Sequence, residues 1–192
     1  VDENTLEKLM EVFNSPFQKG NTHDDIQALK EKLNRMDFGY ITVTSLYGDF
    51  TVKKVKEFQR FVGMKDNGIA DALTRQKLNE LVENGFKQGD RHRAMIDLKE
   101  NLNSIGFGGI TVTEYYGSFT ERRVKEFQKA YGLPETGRAD KVTLDKIDEV
   151  KSNIKDMKSK LNAIGFDRIA VTSNVGNWTK TRIKQFQENY EL

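Results

Sequence analysis

Residue types that could do chemistry are few in this chain. Its 192 residues hold two histidines, His23 and His92, and no cysteine. The two histidines lie 69 residues apart at the same position of an internal repeat, where a helix starts. A metal or acid–base site needs partner ligands or carboxylates at defined spacing, and neither histidine has them. No serine-nucleophile motif, phosphate loop or thiolate is present, so catalysis, a metal and a cofactor are not expected. What recurs is recognition chemistry: Thr44, Thr113 and Thr172; Tyr47 and Tyr116; Gln59, Gln128 and Gln187; and Trp178. Hydroxyls and amides can hydrogen-bond acetamido or peptide groups, and aromatic rings can stack on sugar faces. Each also has a structural use. The glutamines can satisfy backbone groups of the Ile-x-Val-Thr loop, the tyrosines can lid a core, and the threonines can close turns. Tyr40, Tyr115 and Trp178 break the apolar pattern and are expected at the surface.

The elements that must position these residues are written three times. DFTVKKVKEFQRF opens at Asp49, SFTERRVKEFQKA at Ser118 and NWTKTRIKQFQEN at Asn177. Val55 and Phe58, Val124 and Phe127, and Ile183 and Phe186 put an apolar face on each of these helices. Thr51, Thr120 and Thr179 are expected to cap them, with Gly48, Gly117 and Gly176 in a positive-φ turn just before. Upstream lies another helix, with Ile26, Leu29, Leu33 and Met36 matched by Met95, Leu98, Leu102 and Ile105, then by Ile154, Met157, Leu161 and Ile164. Between the two helices, Ile41–Thr44 and its copies alternate with period two, which predicts an extended piece that staples the helices. A third helix follows, capped by Asp71 or Asp140 and carrying Leu78 and Leu81 or Ile147 and Val150. Leu9 and Val12 repeat that pair near the start.

The fold class expected is therefore all-α, a tandem array of small three-helix units with short extended connecting segments. An aliphatic and aromatic content of 36% with 31% charged residues suits several small cores. Residues 1–21 give the third helix of an incomplete unit plus a linker, 22–83 the first complete repeat, 84–91 a linker and 92–150 the second complete repeat. Residues 151–192 give helices one and two of an incomplete third repeat. Neither glycine nor proline interrupts Val142–Ile164, so a continuous helix is expected over about 142–164. The pattern reads as a segment of a longer array. Half-units expose apolar faces, which are expected to cover each other within one molecule or between neighbours.

The second repeat carries a family pattern: Tyr116-Gly117, Thr120, Val124, Phe127-Gln128, Gly132-Leu133, Thr136-Gly137, Asp140 and Thr143. The first keeps Tyr47-Gly48, Thr51, Val55, Phe58-Gln59, Gly63, Gly68, Asp71, Thr74 and Leu78. The third keeps Gly176, Thr179, Ile183 and Phe186-Gln187. This resembles the type 1 peptidoglycan-binding domain found beside cell-wall hydrolases. It departs from the family where Thr44-Ser45, Thr113-Glu114 and Thr172-Ser173 replace Asp-Gly, and where Phe50 and Trp178 replace polar residues. The resemblance implies a non-catalytic array on the bacterial wall or surface, extracellular, binding peptidoglycan or an associated wall polymer through several weak sites. The sites would be formed by the threonines, tyrosines, glutamines and Trp178 named above. The alternative is a structural spacer or assembly module without a glycan site. Exposure of those side chains would favour binding and their burial the spacer. Lys54, Arg123 and Arg182, with Lys56, Lys125 and Lys184, read as a solvated face interleaved with acids. A net charge of +2 gives no nucleic-acid footprint, and no apolar run suits a membrane. Head-to-tail self-association through the incomplete end units is the further partner expected.

Overall fold

The computed structural model describes residues 2–166 and 168–192. Eight helices follow one another: α1 (Glu3–Phe13), α2 (Asp25–Arg35), α3 (Asp49–Phe61), α4 (Ala72–Asn84), α5 (Ala94–Ser104), α6 (Ser118–Ala130), α7 (Lys141–Ala163) and α8 (Asn177–Asn189). Among the described residues there is no strand, only isolated bridges, and the chain is all-α. It divides into two compact units, Val1–Asn84 and Gly85–Leu192. No described helix is long and apolar enough to cross a membrane.

In the first unit, α2 packs against both α3 and α4. Ile26, Leu29, Leu33 and Met36 from α2, Val55 and Phe58 from α3, and Leu78 and Leu81 from α4 are all buried. Phe38, just past α2, meets Phe58 edge-on with ring centroids 5.3 Å apart. The second unit repeats this with α5 against α6 and α7. There Met95, Leu98, Leu102, Val124, Phe127 and Ile147 close the core. The three-four spacing of these residues turns their side chains onto one face, so burying that face folds the helices together.

Both third helices start as expected. Asp71 Oδ1 accepts from the Thr74 N–H at 2.8 Å, and Asp140 Oδ1 from that of Thr143 at 2.9 Å. The second helices do not. α3, α6 and α8 begin two residues before the threonine. Gly48, Gly117 and Gly176 are the N-caps, in extended backbone with φ of −82°, −83° and −74° rather than in a positive-φ turn. Thr51, Thr120 and Thr179 sit inside the first turn and are buried. The glycines carry no side chain that could cap, so the helix starts by backbone geometry alone.

The stretches between repeats are seated on the fold. Phe86 is buried and pairs with Ala139, whose N–H donates to the Phe86 carbonyl at 2.9 Å. Phe17 does the same with Ala70 at 3.0 Å. Gly85 (φ +66°) lies so close to Ala139 that a Cβ would stand 2.2 Å from the Ala139 carbonyl oxygen. The buried phenylalanine in each of these two segments supplies apolar area that holds it down. α7 passes through residues 151–153 unbroken, as 23 helical residues. Leu6, Leu9, Met10 and Phe13 of α1 are each more than half exposed.

Candidate functional site

The glutamines of the two complete repeats turn inward. Gln128 is buried. Its Nε2 donates to Thr136 Oγ1 (3.0 Å), the Arg138 carbonyl (3.1 Å) and Thr143 Oγ1 (2.9 Å), and its Oε1 accepts from the Gly137 N–H (2.8 Å). Gln59 repeats the set with Asn67, Ile69, Thr74 and Gly68. The backbone each satisfies is the loop before the third helix, not the Ile-x-Val-Thr segment. Tyr47 and Tyr116 are 0% exposed, and their hydroxyls donate to the carbonyls of Gly68 (3.0 Å) and Gly137 (2.7 Å). Burial raises both phenol pKa values well above the usual range. These four residues are buried, so a wall polymer could reach them only by opening the loop they hold. Gln187 is exposed on α8.

The threonines are at the surface. The exposed Thr44 and Thr113 accept at Oγ1 from Lys30 and Lys99, at 2.9 and 2.8 Å. Thr172 accepts from the Asn174 N–H at 3.3 Å. These lysines carry a structural device that the sequence reading passed over. Lys30, Lys99 and Lys158 are buried at one repeat position. Lys99 Nζ donates to the carbonyls of Thr113 (2.8 Å) and Tyr115 (2.6 Å). Lys158 donates to those of Ala170 and Asn174. Desolvation lowers the pKa of all three. One turn along, the side-chain amides of Asn34, Asn103 and Asn162 clamp both backbone groups of Ile41, Ile110 and Ile169. The extended piece is thus stapled to helix one by side chains. The signal was a lysine and an asparagine recurring beside Leu33, Leu102 and Leu161.

Each repeat leaves an aromatic ring at least partly exposed at the start of helix two, with a partly buried cation against it. Lys54 Nζ lies 5.3 Å from the Phe50 ring centre. Arg123 lies 4.9 Å from Phe119, with Arg122 at 4.6 Å. Arg182 lies 4.3 Å from Trp178. Phe50 and Trp178 are half exposed, and Phe119 is partly so. Each cation is also tied one turn on: Lys54 to Glu57 (2.8 Å), Arg123 to Glu126 (2.6 Å) and Arg182 to Gln185 (2.8 Å). The Trp178 indole N–H donates to the Arg168 carbonyl at 3.1 Å, which fixes the ring. The sequence reading placed these cations on a solvated face. Their four-residue spacing from the aromatic, kept three times, was the signal. Tyr40 and Tyr115 are exposed as expected, with Arg91 5.6 Å from the Tyr115 ring.

His23 and His92 do helix-start work: their Nδ1 atoms accept from the N–H groups of Asp25 (3.1 Å) and Ala94 (3.3 Å). Among the described residues no cluster of histidines and carboxylates could hold a metal ion. The family of type 1 peptidoglycan-binding domains matches residues 22–78, 91–147 and 150–192. No curated protein and no solved structure matches the chain.

Proposed function

This chain belongs to the type 1 peptidoglycan-binding domain family, and on that premise we propose that it is a non-catalytic array holding bacterial wall polymer at several weak sites outside the cell. The observation that carries the reading is the aromatic–cation pair kept in all three repeats, Phe50–Lys54, Phe119–Arg123 and Trp178–Arg182, whose rings are at least partly exposed and whose cations are partly buried against them. A ring presents an apolar face to a sugar, and the adjacent cation can pair with a stem-peptide carboxylate or anionic wall polymer. Thr44, Thr113, Thr172 and Gln187 add exposed polar groups to the same repeats. Shallow sites of this kind bind weakly alone, and linking them raises retention without new contacts. Head-to-tail association of copies would extend the array.

The spacer reading has its own support in the burial of Gln59, Gln128, Tyr47 and Tyr116. Co-sedimentation with purified sacculi separates the two. The chain is expected to pellet with sacculi stripped of secondary polymers, and a variant with Phe50→Ala, Phe119→Ala and Trp178→Ala is expected to stay in solution with its helix content unchanged. Equal retention of that variant would remove the aromatic sites, and no retention of the unaltered chain would leave the spacer.

A further inference from the structure

Within the first unit, Phe17 and the packed helices α2 and α4 enclose a small pocket of about 240 Å3. Its floor is apolar, formed by Phe17, Leu29 and Leu78, all buried. Its rim is polar: Lys32, Arg75 and Asn79, with Asp25 as the one acid. Lys32 Nζ donates to Asn79 Oδ1 at 2.8 Å. The Arg75 guanidinium lies 4.2 Å from the centre of the Phe17 ring and donates to the Ala70 carbonyl at 2.7 Å. Both cations are thus held by neutral acceptors rather than by carboxylates. An ammonium and a guanidinium carry several N–H donors each, so one bond apiece leaves donors for a ligand.

The floor belongs to the repeat, and the rim does not. A shift of 69 residues takes Phe17, Leu29 and Leu78 to Phe86, Leu98 and Ile147, which are buried in the same way. The same shift takes Lys32 to Asn101, Arg75 to Leu144, Asn79 to Asp148 and Asp25 to Ala94. The second repeat folds without either cation at these positions, so the fold does not require them. A few polar groups converging on an apolar floor are what a small-ligand site needs. With two cations against Asp25, the rim has one positive charge in excess, which a single carboxylate neutralises.

We infer that this pocket binds the C-terminal residue of a peptide, its carboxylate on Lys32 and Arg75 and its small apolar side chain on the floor of Phe17, Leu29 and Leu78. Charge-assisted bonds from a guanidinium and an ammonium are the strong ones available to a carboxylate. The site shares no residue with the Phe50–Lys54 pair, occurs in the first repeat alone of the two complete ones, and does not depend on wall binding.

Titration of the isotope-labelled full chain with trialanine, followed by NMR, tests it. The amide signals of Phe17, Leu29, Lys32, Arg75 and Leu78 are expected to shift to saturation, and those of Phe86, Leu98 and Ile147 to stay in place. Trialanine amide has no carboxylate and is expected to bind at least about tenfold more weakly. The double variant Lys32→Asn, Arg75→Leu carries the second repeat's residue types at both positions and is expected to lose at least about tenfold in affinity, with circular dichroism checking its fold. Lys32→Asn alone leaves Arg75 on Phe17, so it tests the rim even if the double variant unfolds. Trialanine built from D-residues separates the two sources of such an end: tighter binding of the D-form assigns it to wall peptides, and of the L-form to protein chains, and either meets the proposal. Because the probes are soluble peptides, a failure here is distinct from a failure to pellet with sacculi. No saturable shift with either form, an amide that binds as tightly as the acid, or folded variants that bind like the parent would each overturn the proposal.

Discussion

A buried amide with four partners makes Gln128 a structural residue first. Replacing it by leucine keeps the volume but strands the Gly137 N–H and the Arg138 carbonyl. A buried polar group left unpaired costs about 1–3 kcal/mol. Gln128→Leu is therefore expected to lower stability by at least about 2 kcal/mol, read as an earlier midpoint in urea. Wall retention below that midpoint should be unchanged, because the side chain never reaches the surface. Tyr47 gives the pH counterpart. Its folded pKa is raised by burial above the unfolded value of 10.0. The folded state therefore keeps a proton that the unfolded state releases. The stability this contributes is fully present below pH 10 and declines as pH climbs above it. Tyr47→Phe has no proton to lose, so its unfolding free energy should fall less steeply above pH 10 than that of the parent, at some cost at neutral pH from the lost bond to Gly68. Parallel slopes in the two alkaline titrations would refute the assignment.

The three buried lysines show how an element can be held in a way its own pattern does not reveal. The Ile41–Thr44 segment and its copies have β-branched alternation but no partner strand. They stay extended because Lys30, Lys99 and Lys158 and the asparagines one turn on bond their backbone. Lys99→Met keeps the stem and removes the ammonium, leaving the Thr113 and Tyr115 carbonyls without it. The expected cost is about 1.5–3 kcal/mol, the range for hydrogen bonds to a charged group. Hydrogen exchange should quicken first at residues 110–116. A uniform loss of protection across the unit would argue against a local staple. The helices themselves were legible because their burial follows a three-four spacing repeated three times, and because Asp71 and Asp140 cap with the residue type that caps best. The lysine staple was not, since lysine is ordinarily a surface residue. Nor was the start of α3, α6 and α8, where a glycine holds the cap position that Thr51, Thr120 and Thr179 seemed to claim from sequence. Tyr47 and Tyr116 were ambiguous for the opposite reason: a tyrosine suits either a sugar face or a core with one hydrogen bond, and only the position of the Gly68 and Gly137 carbonyls decides between them.

At the scale of the whole molecule the question is whether the three aromatic–cation pairs act as one. The pairs differ in quality. Trp178 offers the largest ring and is fixed by its bond to the Arg168 carbonyl, Phe119 has two guanidiniums nearby, and Phe50 has a single ammonium. If only the best pair bound, Trp178→Ala would abolish retention, and Phe50→Ala and Phe119→Ala would do nothing. Linked weak sites behave differently, because after the first contact the others bind at an effective concentration set by the chain between them. Each lost pair then removes one intramolecular step, and linkage can raise overall binding by about 10²–10⁴. Single, double and triple alanine variants are accordingly expected to leave sacculi progressively faster, by roughly tenfold or more per pair removed. The order of substitution should change the size of the steps and not their number. Washing bound protein from stripped sacculi and following its loss with time measures this directly. Raising the salt separates the two halves of each pair, since screening weakens the cation and leaves the ring. The variants that keep their rings should lose part of their hold in salt, and the triple variant, already released, should show no further change. A single drop to background on losing any one ring, with no graded series, would mean that the array holds one composite site instead of three.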